Sequence, residues 1–150
     1  MRIALYQPDI PQNMGSILRL AACMDAACHI IEPCGFVLDD KRLKRVAMDY
    51  AVQAEIHRHA SWDAFAGFAA AEGFRIVLLT TKAAQSCYDF AFMPQDILLF
   101  GRESAGVPQE VAARADARLR IPMKDGARSL NIAQAASMAL GEALRQTQWK

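Results

Sequence analysis

Ile97-Leu98-Leu99-Phe100-Gly101-Arg102-Glu103-Ser104-Ala105-Gly106-Val107-Pro108 is the stretch on which the fold turns. Four apolar residues in a row, without alternation, read as a strand buried on both faces. The strand runs straight into glycine-rich polar backbone, and a helix opens near Pro108. A buried strand feeding a loop and then a helix is the unit of a parallel sheet, and such sheets bind ligands beyond the carboxyl ends of their strands. The spacing G-x4-G brings a phosphate loop to mind, but Val107-Pro108 stands where that loop needs Lys and Ser or Thr. No G-x-G-x-x-G follows any strand either, so ATPase and NAD readings lose their main support. Taken alone, the segment fits a ligand site and a purely geometric glycine turn equally.

The same alternation extends to both ends of the chain. Arg2–Leu5, His29–Glu32, Glu55–Arg58, Ile76–Thr81 and Leu119–Met123 read as further strands, with helices at about 13–25, 39–48, 61–72, 107–115 and 129–147. This predicts an α/β fold, a mostly parallel sheet flanked by helices, as a single domain over 1–150. Ser61 is placed to cap the third helix and Gly73 to stop it. Met14, Ile17, Leu18, Ala21 and Ala22 give the first helix its apolar face, while Asn13, Ser16 and Arg19 run along another side. The last helix carries no charge from Ser129 through Gly141. A surface helix needs a polar face, so this one is expected to be buried on most sides, within the monomer or against a partner chain. Its small residues, Ala133, Ala135, Ala136, Ser137, Ala139 and Gly141, permit close approach, and self-association is the favoured expectation.

Composition narrows the function classes. The 150 residues are 53% hydrophobic and 22% charged, with a net charge of +1. That is too apolar for disorder and too neutral for a protein that coats nucleic acid non-specifically. No apolar run approaches the roughly 20 residues of a membrane span, and Met1-Arg2-Ile3-Ala4-Leu5-Tyr6-Gln7-Pro8 reads as a first strand rather than a signal peptide. Cys23, Cys28, Cys34 and Cys87 lack the spacing of a zinc site and read as core thiols of a reduced, cytoplasmic protein. No metal-ligand cluster and no G-x-S-x-G nucleophile turn is present, and His29, His57 and His59 lack a catalytic signature.

Two more segments carry candidate chemistry. Leu119-Arg120-Ile121-Pro122-Met123-Lys124-Asp125-Gly126-Ala127-Arg128-Ser129-Leu130-Asn131 leaves a strand through a flexible loop whose backbone is free to bond an adenine edge or a ribose. Ser129 is placed to cap the uncharged helix. Arg128 opposes the helix dipole there and is better explained by an anion than by stability. In Gln7-Pro8-Asp9-Ile10-Pro11-Gln12-Asn13-Met14-Gly15-Ser16-Ile17-Leu18-Arg19, two prolines stiffen the loop. Arg19 is the only charge between Asp9 and Asp25, which suits a phosphate partner. Lys41, Arg42, Lys44 and Arg45 form the best RNA-facing basic patch.

These three segments, in this order and over nearly the whole chain, resemble the SPOUT superfamily of RNA methyltransferases. Asn13-x-Gly15-x-x-x-Arg19 is similar to its first motif and Leu99-Phe100-Gly101-x-Glu103-x-x-Gly106-Val107-Pro108 to its second. Ile121-Pro122-Met123 with Arg128-Ser129-Leu130-Asn131 is similar to its third. Short length, Ile30-Ile31-Glu32-Pro33-x-Gly35-Phe36 and Asp39-Asp40-Lys41-Arg42-Leu43 resemble the minimal branch that methylates the 2′-hydroxyl of cytidine or uridine 34 in tRNA. Ser16, Ala133 and Gly141 depart from residues usual in the family, which has Asn, Ser and Tyr there.

The resemblance implies a C-terminal trefoil knot, a homodimer whose active sites draw on both subunits, and tRNA as substrate, leucine isoacceptors among them. It implies S-adenosylmethionine held by Leu79, Thr80, Gly101, Glu103, Ile121, Met123, Ser129, Leu130 and Asn131. Asn13, Lys41, Arg42 and Arg128 would meet the RNA, and Arg19 would be catalytic. A guanidinium with pKa above about 12 is a poor base, so Arg19 is read as holding the target phosphate and stabilising alkoxide charge. Two rivals stand beside this reading: a non-catalytic nucleotide- or partner-binding α/β module, and 2′-O-methylation of rRNA.

Overall fold

The computed structural model describes residues 1–47 and 54–149. Seven strands occur in it: β1 (Arg2–Tyr6), β2 (Ala27–Ile31), β3 (Ile56–His59), β4 (Arg75–Leu79), β5 (Gln85–Ser86), β6 (Asp96–Phe100) and β7 (Ala117–Arg120). Between and after them lie helices α1 (Pro11–Cys23), α2 (Asp40–Ala47), α3 (Trp62–Ala71), α4 (Gln109–Ala113) and α5 (Ile132–Thr147). The strands join one sheet in the order β3-β2-β1-β6-β4-β7-β5, and every pairing between them is parallel.

Period-two alternation inside the apolar strands assigns each residue to a face. Ile3, Leu5, Cys28, Ile30, Val77, Leu98 and Phe100 point to one side, where they meet α1 and α5 through Met14, Leu18, Ala136 and Leu140. Ala4, Tyr6, Ile31, Ile76, Leu78, Ile97 and Leu99 point to the other, against Phe65 of α3 and Val111 of α4. Both faces are covered, which is why the central strands read as unbroken apolar runs. At the foot of β6, fully buried Asp96 accepts two bonds from Arg75, from Nε at 2.6 Å and from Nη2 at 2.8 Å. That pair locks the starts of two neighbouring strands.

The boundaries differ from expectation where the chain makes loops. The strand expected over 76–81 ends at Leu79, and the one expected over 119–123 ends at Arg120. β5, only two residues long, carries too little pattern to be read. Helix α4 is five residues, shorter than the span 107–115. Ser129 does not cap the last helix, which starts at Ile132. Asn131 is its cap, its side chain accepting the Ala133 N–H at 2.9 Å from an extended backbone. Arg128 therefore sits in the loop rather than at the helix mouth. Ser61 does cap α3, accepting from the Ala64 N–H, and Gly73 follows that helix with φ +69°. Met48, the last residue of the expected second helix, lies outside the described residues, as does the side chain of Lys44.

Two readings of burial need correction. Helix α5 buries Ala136, Ala139, Leu140, Ala143 and Leu144, but Gln134, Ser137 and Met138 are exposed. It covers the sheet and α1 with one face and leaves the other open within this chain. Cys28 and Cys87 are core thiols, and burial pushes Cys28 up to about 12. Cys23, at the last position of α1, is exposed.

Candidate functional site

Strands β6, β4 and β7 are adjacent and parallel, so their carboxyl ends lie side by side. The three loops that leave them converge on a cavity of about 250 Å³. Its walls include Leu79 at the end of β4 and Thr80 after it, Phe100 at the end of β6 with Gly101, Arg102 and Glu103 after it, and Ile121 and Met123 beyond β7. Ser129, Leu130, Ile132 and Ala135 close it from the side of α5. This is the position that doubly wound sheets use for ligands.

The middle loop doubles back on itself. Arg102 and Gly106 exchange backbone bonds, N–H to O at 2.9 and 2.8 Å, and Gly106 has φ +67°. A Cβ on Gly101 would stand 2.5 Å from the Gly106 carbonyl carbon, so only glycine lets the two backbone segments touch. After β7, residues 121–131 belong to no helix or strand, and a turn bond from the Ala127 N–H to Lys124 O shapes them. Apolar walls beside loop backbone suit a flat heteroaromatic base with a polar tail. The residues present therefore fit an adenosyl group.

Eight of the nine expected cofactor residues line the cavity; Asn131 does not. Its amide instead joins a chain that ties the three motifs together. Asn131 Nδ2 donates to Asn13 Oδ1 at 2.9 Å, and Asn13 Nδ2 donates to Glu103 Oε1 at 3.2 Å. The polar contacts expected of Asn13 and Asn131 toward RNA and cofactor are thus made, in this chain, to each other. Glu103 is both wall and anchor. Burial first, and then the neighbouring Asp9 carboxyl, push its carboxyl up from the ordinary value.

The remaining expected residues lie apart. Arg19 is exposed on α1, six residues and so about 9 Å along the axis from Asn13, and is not among the residues lining the cavity. Lys41 is exposed on α2, and Arg42 sets its guanidinium 5.9 Å from the Phe36 ring. Arg128 is exposed in the loop beyond β7. Sequence reasoning missed Arg102, a cation in the cavity wall, because within the motif it stands at a variable position. Missed too were Phe100, Ile132 and Ala135, whose apolar character made them look like core. Among the described residues no group of three or more His, Cys, Asp or Glu is arranged to hold a metal ion.

Comparison with known proteins follows the same geometry. Residues 1–141 match the SpoU rRNA Methylase family. A tRNA (cytidine(34)-2'-O)-methyltransferase of Beijerinckia indica subsp. indica is 56% identical over 144 residues, covering 96% of this chain and 90% of that protein. A solved structure described as giving structural insights into the 2-OH methylation of C/U34 on tRNA superposes with a TM-score of 0.90. It is 41% identical and covers 97% of this chain and 94% of its own. An AdoMet-bound rRNA methyltransferase from Sinorhizobium meliloti superposes with a TM-score of 0.86 at 30% identity, but the match covers only 55% of that longer chain.

Proposed function

The chain belongs to the SpoU rRNA methylase family, and from that premise we infer that it is a tRNA 2′-O-methyltransferase acting on the ribose of nucleotide 34. The observation that carries the reading is end-to-end similarity to proteins of that activity, 56% identical across nine-tenths of both chains, joined to a cavity built from the three matching motifs. S-adenosylmethionine is the cofactor. Bound in the cavity, it supplies a sulfonium methyl group poised for attack by a hydroxyl. Similarity to an rRNA methyltransferase is the basis of the second reading. That match covers only 55% of the longer protein, whereas the tRNA enzyme is matched over 90% of its length.

The protein's own residues then have defined work. Leu79, Ile121, Met123 and Leu130 exclude water around the base, and Gly101 lets loop backbone approach it. Thr80 and Ser129 offer hydroxyls to the polar parts of the donor. Asn13, Glu103 and Asn131 hold the three loops in register. Lys41, Arg42 and Arg128 hold RNA phosphates, and Arg19 holds the target phosphate and stabilises the negative charge that develops on the 2′-oxygen as it attacks and its proton passes to solvent. Arg19 does not line its own cavity, so on this reading it serves the cavity of a second copy in a homodimer. The open side of α5, uncharged as far as Gly141, is the contact that such a dimer would use.

We further assign residues 1–150 to one SPOUT domain with residues past β7 threaded into a trefoil knot, working in the cytoplasm where tRNA is found. Supporting the knot is the insertion of β4 between β6 and β7, with α5 returning to pack on α1. Among the described residues no helix is long and apolar enough to cross a membrane. Mapping 2′-O-methylated riboses in tRNA and rRNA from a deletion strain tests the function. Loss confined to tRNA nucleotide 34, restored by the gene, is expected, with leucine isoacceptors among those affected. Loss from rRNA alone would establish the second reading.

A further inference from the structure

We propose that Asp9 is a positioning residue of this transferase, locking the loop that begins α1 to the loop that follows β6. The proposal rests on the reading above. Asp9 and Glu103 grip each other in both directions: the Asp9 N–H donates to Glu103 Oε2 at 3.1 Å, and the Glu103 N–H donates to Asp9 Oδ1 at 3.1 Å. The Ser104 hydroxyl donates to Asp9 Oδ2, and Arg102 Nε lies 3.8 Å from the same oxygen. One carboxylate thus organises three consecutive residues of the cavity loop, 94 positions away in sequence.

A third segment presses on the same residue. The Gly35 N–H donates to Pro8 O at 2.9 Å, and a Cβ on Gly35 would stand 2.6 Å from Asp9 Cβ. No side chain fits there, so the backbone of the loop after β2 holds Asp9 in place. The Glu103 carboxyl and then the Ser104 hydroxyl hold the Asp9 carboxyl down to about 2, so it stays charged and accepting at neutral pH. Two residues on, Pro11 starts the helix that carries Asn13 and Arg19. The clamp therefore sets the start of that helix against the cofactor loop of its own chain, and through the helix fixes where Arg19 is presented to the cavity of the second copy. Misplacement of about 1 Å is enough to cost on the order of 10²-fold in rate.

Steady-state methylation of tRNA by Asp9→Asn tests this. An amide keeps the size but donates where the Ser104 hydroxyl also donates. The expected result is a kcat lowered on the order of 10²-fold, with KM for tRNA and Kd for S-adenosylmethionine within about threefold of wild type. Asp9→Glu, which keeps the acceptor charge, is expected to recover most of the loss. Gly35→Ala, which shifts Asp9 without replacing it, is expected to give the same split and keeps the test open if Asp9→Asn fails to fold. Unchanged kcat in Asp9→Asn and Gly35→Ala would overturn the proposal. So would losses of kcat, cofactor affinity and melting temperature in proportion. Wild-type protein inactive on tRNA would instead overturn the reading on which the proposal rests, and the proposal with it.

Discussion

At the scale of single residues, charge placement separates the cavity from its reagents. Arg19 follows Asn13 by two helical steps of three, which made it legible as one side of α1 but could not show which cavity it serves. A chain carrying Arg19→Ala should bind S-adenosylmethionine normally by calorimetry and yet lose turnover. Leu130→Glu places a charge in the cavity wall at a residue already 37% exposed, so it should fold and lose cofactor binding. Mixed and allowed to exchange subunits, the two inactive proteins should recover about a quarter of wild-type turnover. Half of the dimers are then mixed, and each has one complete site of two. No recovery would place Arg19 and the cavity in the same chain. Histidines illustrate the opposite case, a cluster that sequence gave no reason to group. His29 is fully buried, with Nδ1 2.9 Å from His59 Nε2 and its ring stacked 4.8 Å from that of His57. Burial, and then His57 and His59, lower it to about 3; burial and His57 lower His59 as well. Arg2 adds to the lowering at His29, while Glu55, bonded to His57, opposes it. Folded His29 stays neutral where the unfolded chain takes up a proton near pH 6.5, so stability is held above that value and falls as pH drops below it. The Asp9 and Glu142 carboxyls, held down to about 2, lie below this window, while the raised Glu103 carboxyl acts in the opposite sense to the histidines. Urea unfolding at pH 7 and pH 5 should show a drop that approaches about 1.4 kcal/mol per pH unit for each such proton, and His29→Phe should flatten it. Equal slopes in both proteins would show that the cluster does not control acid stability.

At the scale of elements, the strands were readable and the loop ends were not, for one reason. A strand buried on both faces announces itself by composition, as Ile97–Phe100 does, because every position must be apolar. Where Leu79 and Arg120 end their strands is decided by tertiary partners: the Thr80 N–H still bonds Leu119 O, yet the chain then turns into the cavity wall. The absence of charge in α5 as far as Gly141 was likewise visible, and its meaning divided. Half of it is the ordinary core of this chain. The other half, with Gln134 and Ser137 open and Met138 40% exposed, is apolar or weakly polar surface on which a charge would be easily solvated if nothing covered it. Met138→Arg tests this directly. In a dimer built on that face, the guanidinium would be desolvated without a partner, and sedimentation should show the wild-type dimer become a monomer with its melting temperature nearly kept. A variant that sediments as wild type would move the contact to another face.

At the scale of the whole molecule, the order of strands says more than their number. β1, β2 and β3 add outward in sequence order on one side of the sheet. Beyond β6 the order breaks: β4 lies inside, between β6 and β7, although β6 follows it in the chain. This half holds the cavity, and it is the half whose topology no hydrophobic period encodes, since a strand's pattern records burial and not its neighbour. Family resemblance supplied the expectation of a knot, which residue patterns could not, against a general rule of unthreaded chains. Pulling the chain from its two ends tests it mechanically. An unknotted chain of 150 residues should extend to about 3.5 Å per residue, whereas a knot tightened near the C-terminal half withholds some of that length. A full extension would show that residues past β7 lie over the loop without passing through it. A shortfall abolished in a circular permutant, its original ends joined and the chain opened between β4 and β6, would locate the threaded loop in the segment that also walls the cavity. Donor site and topology would then be one construction, since the chain cannot untie without opening the place where the methyl group is held.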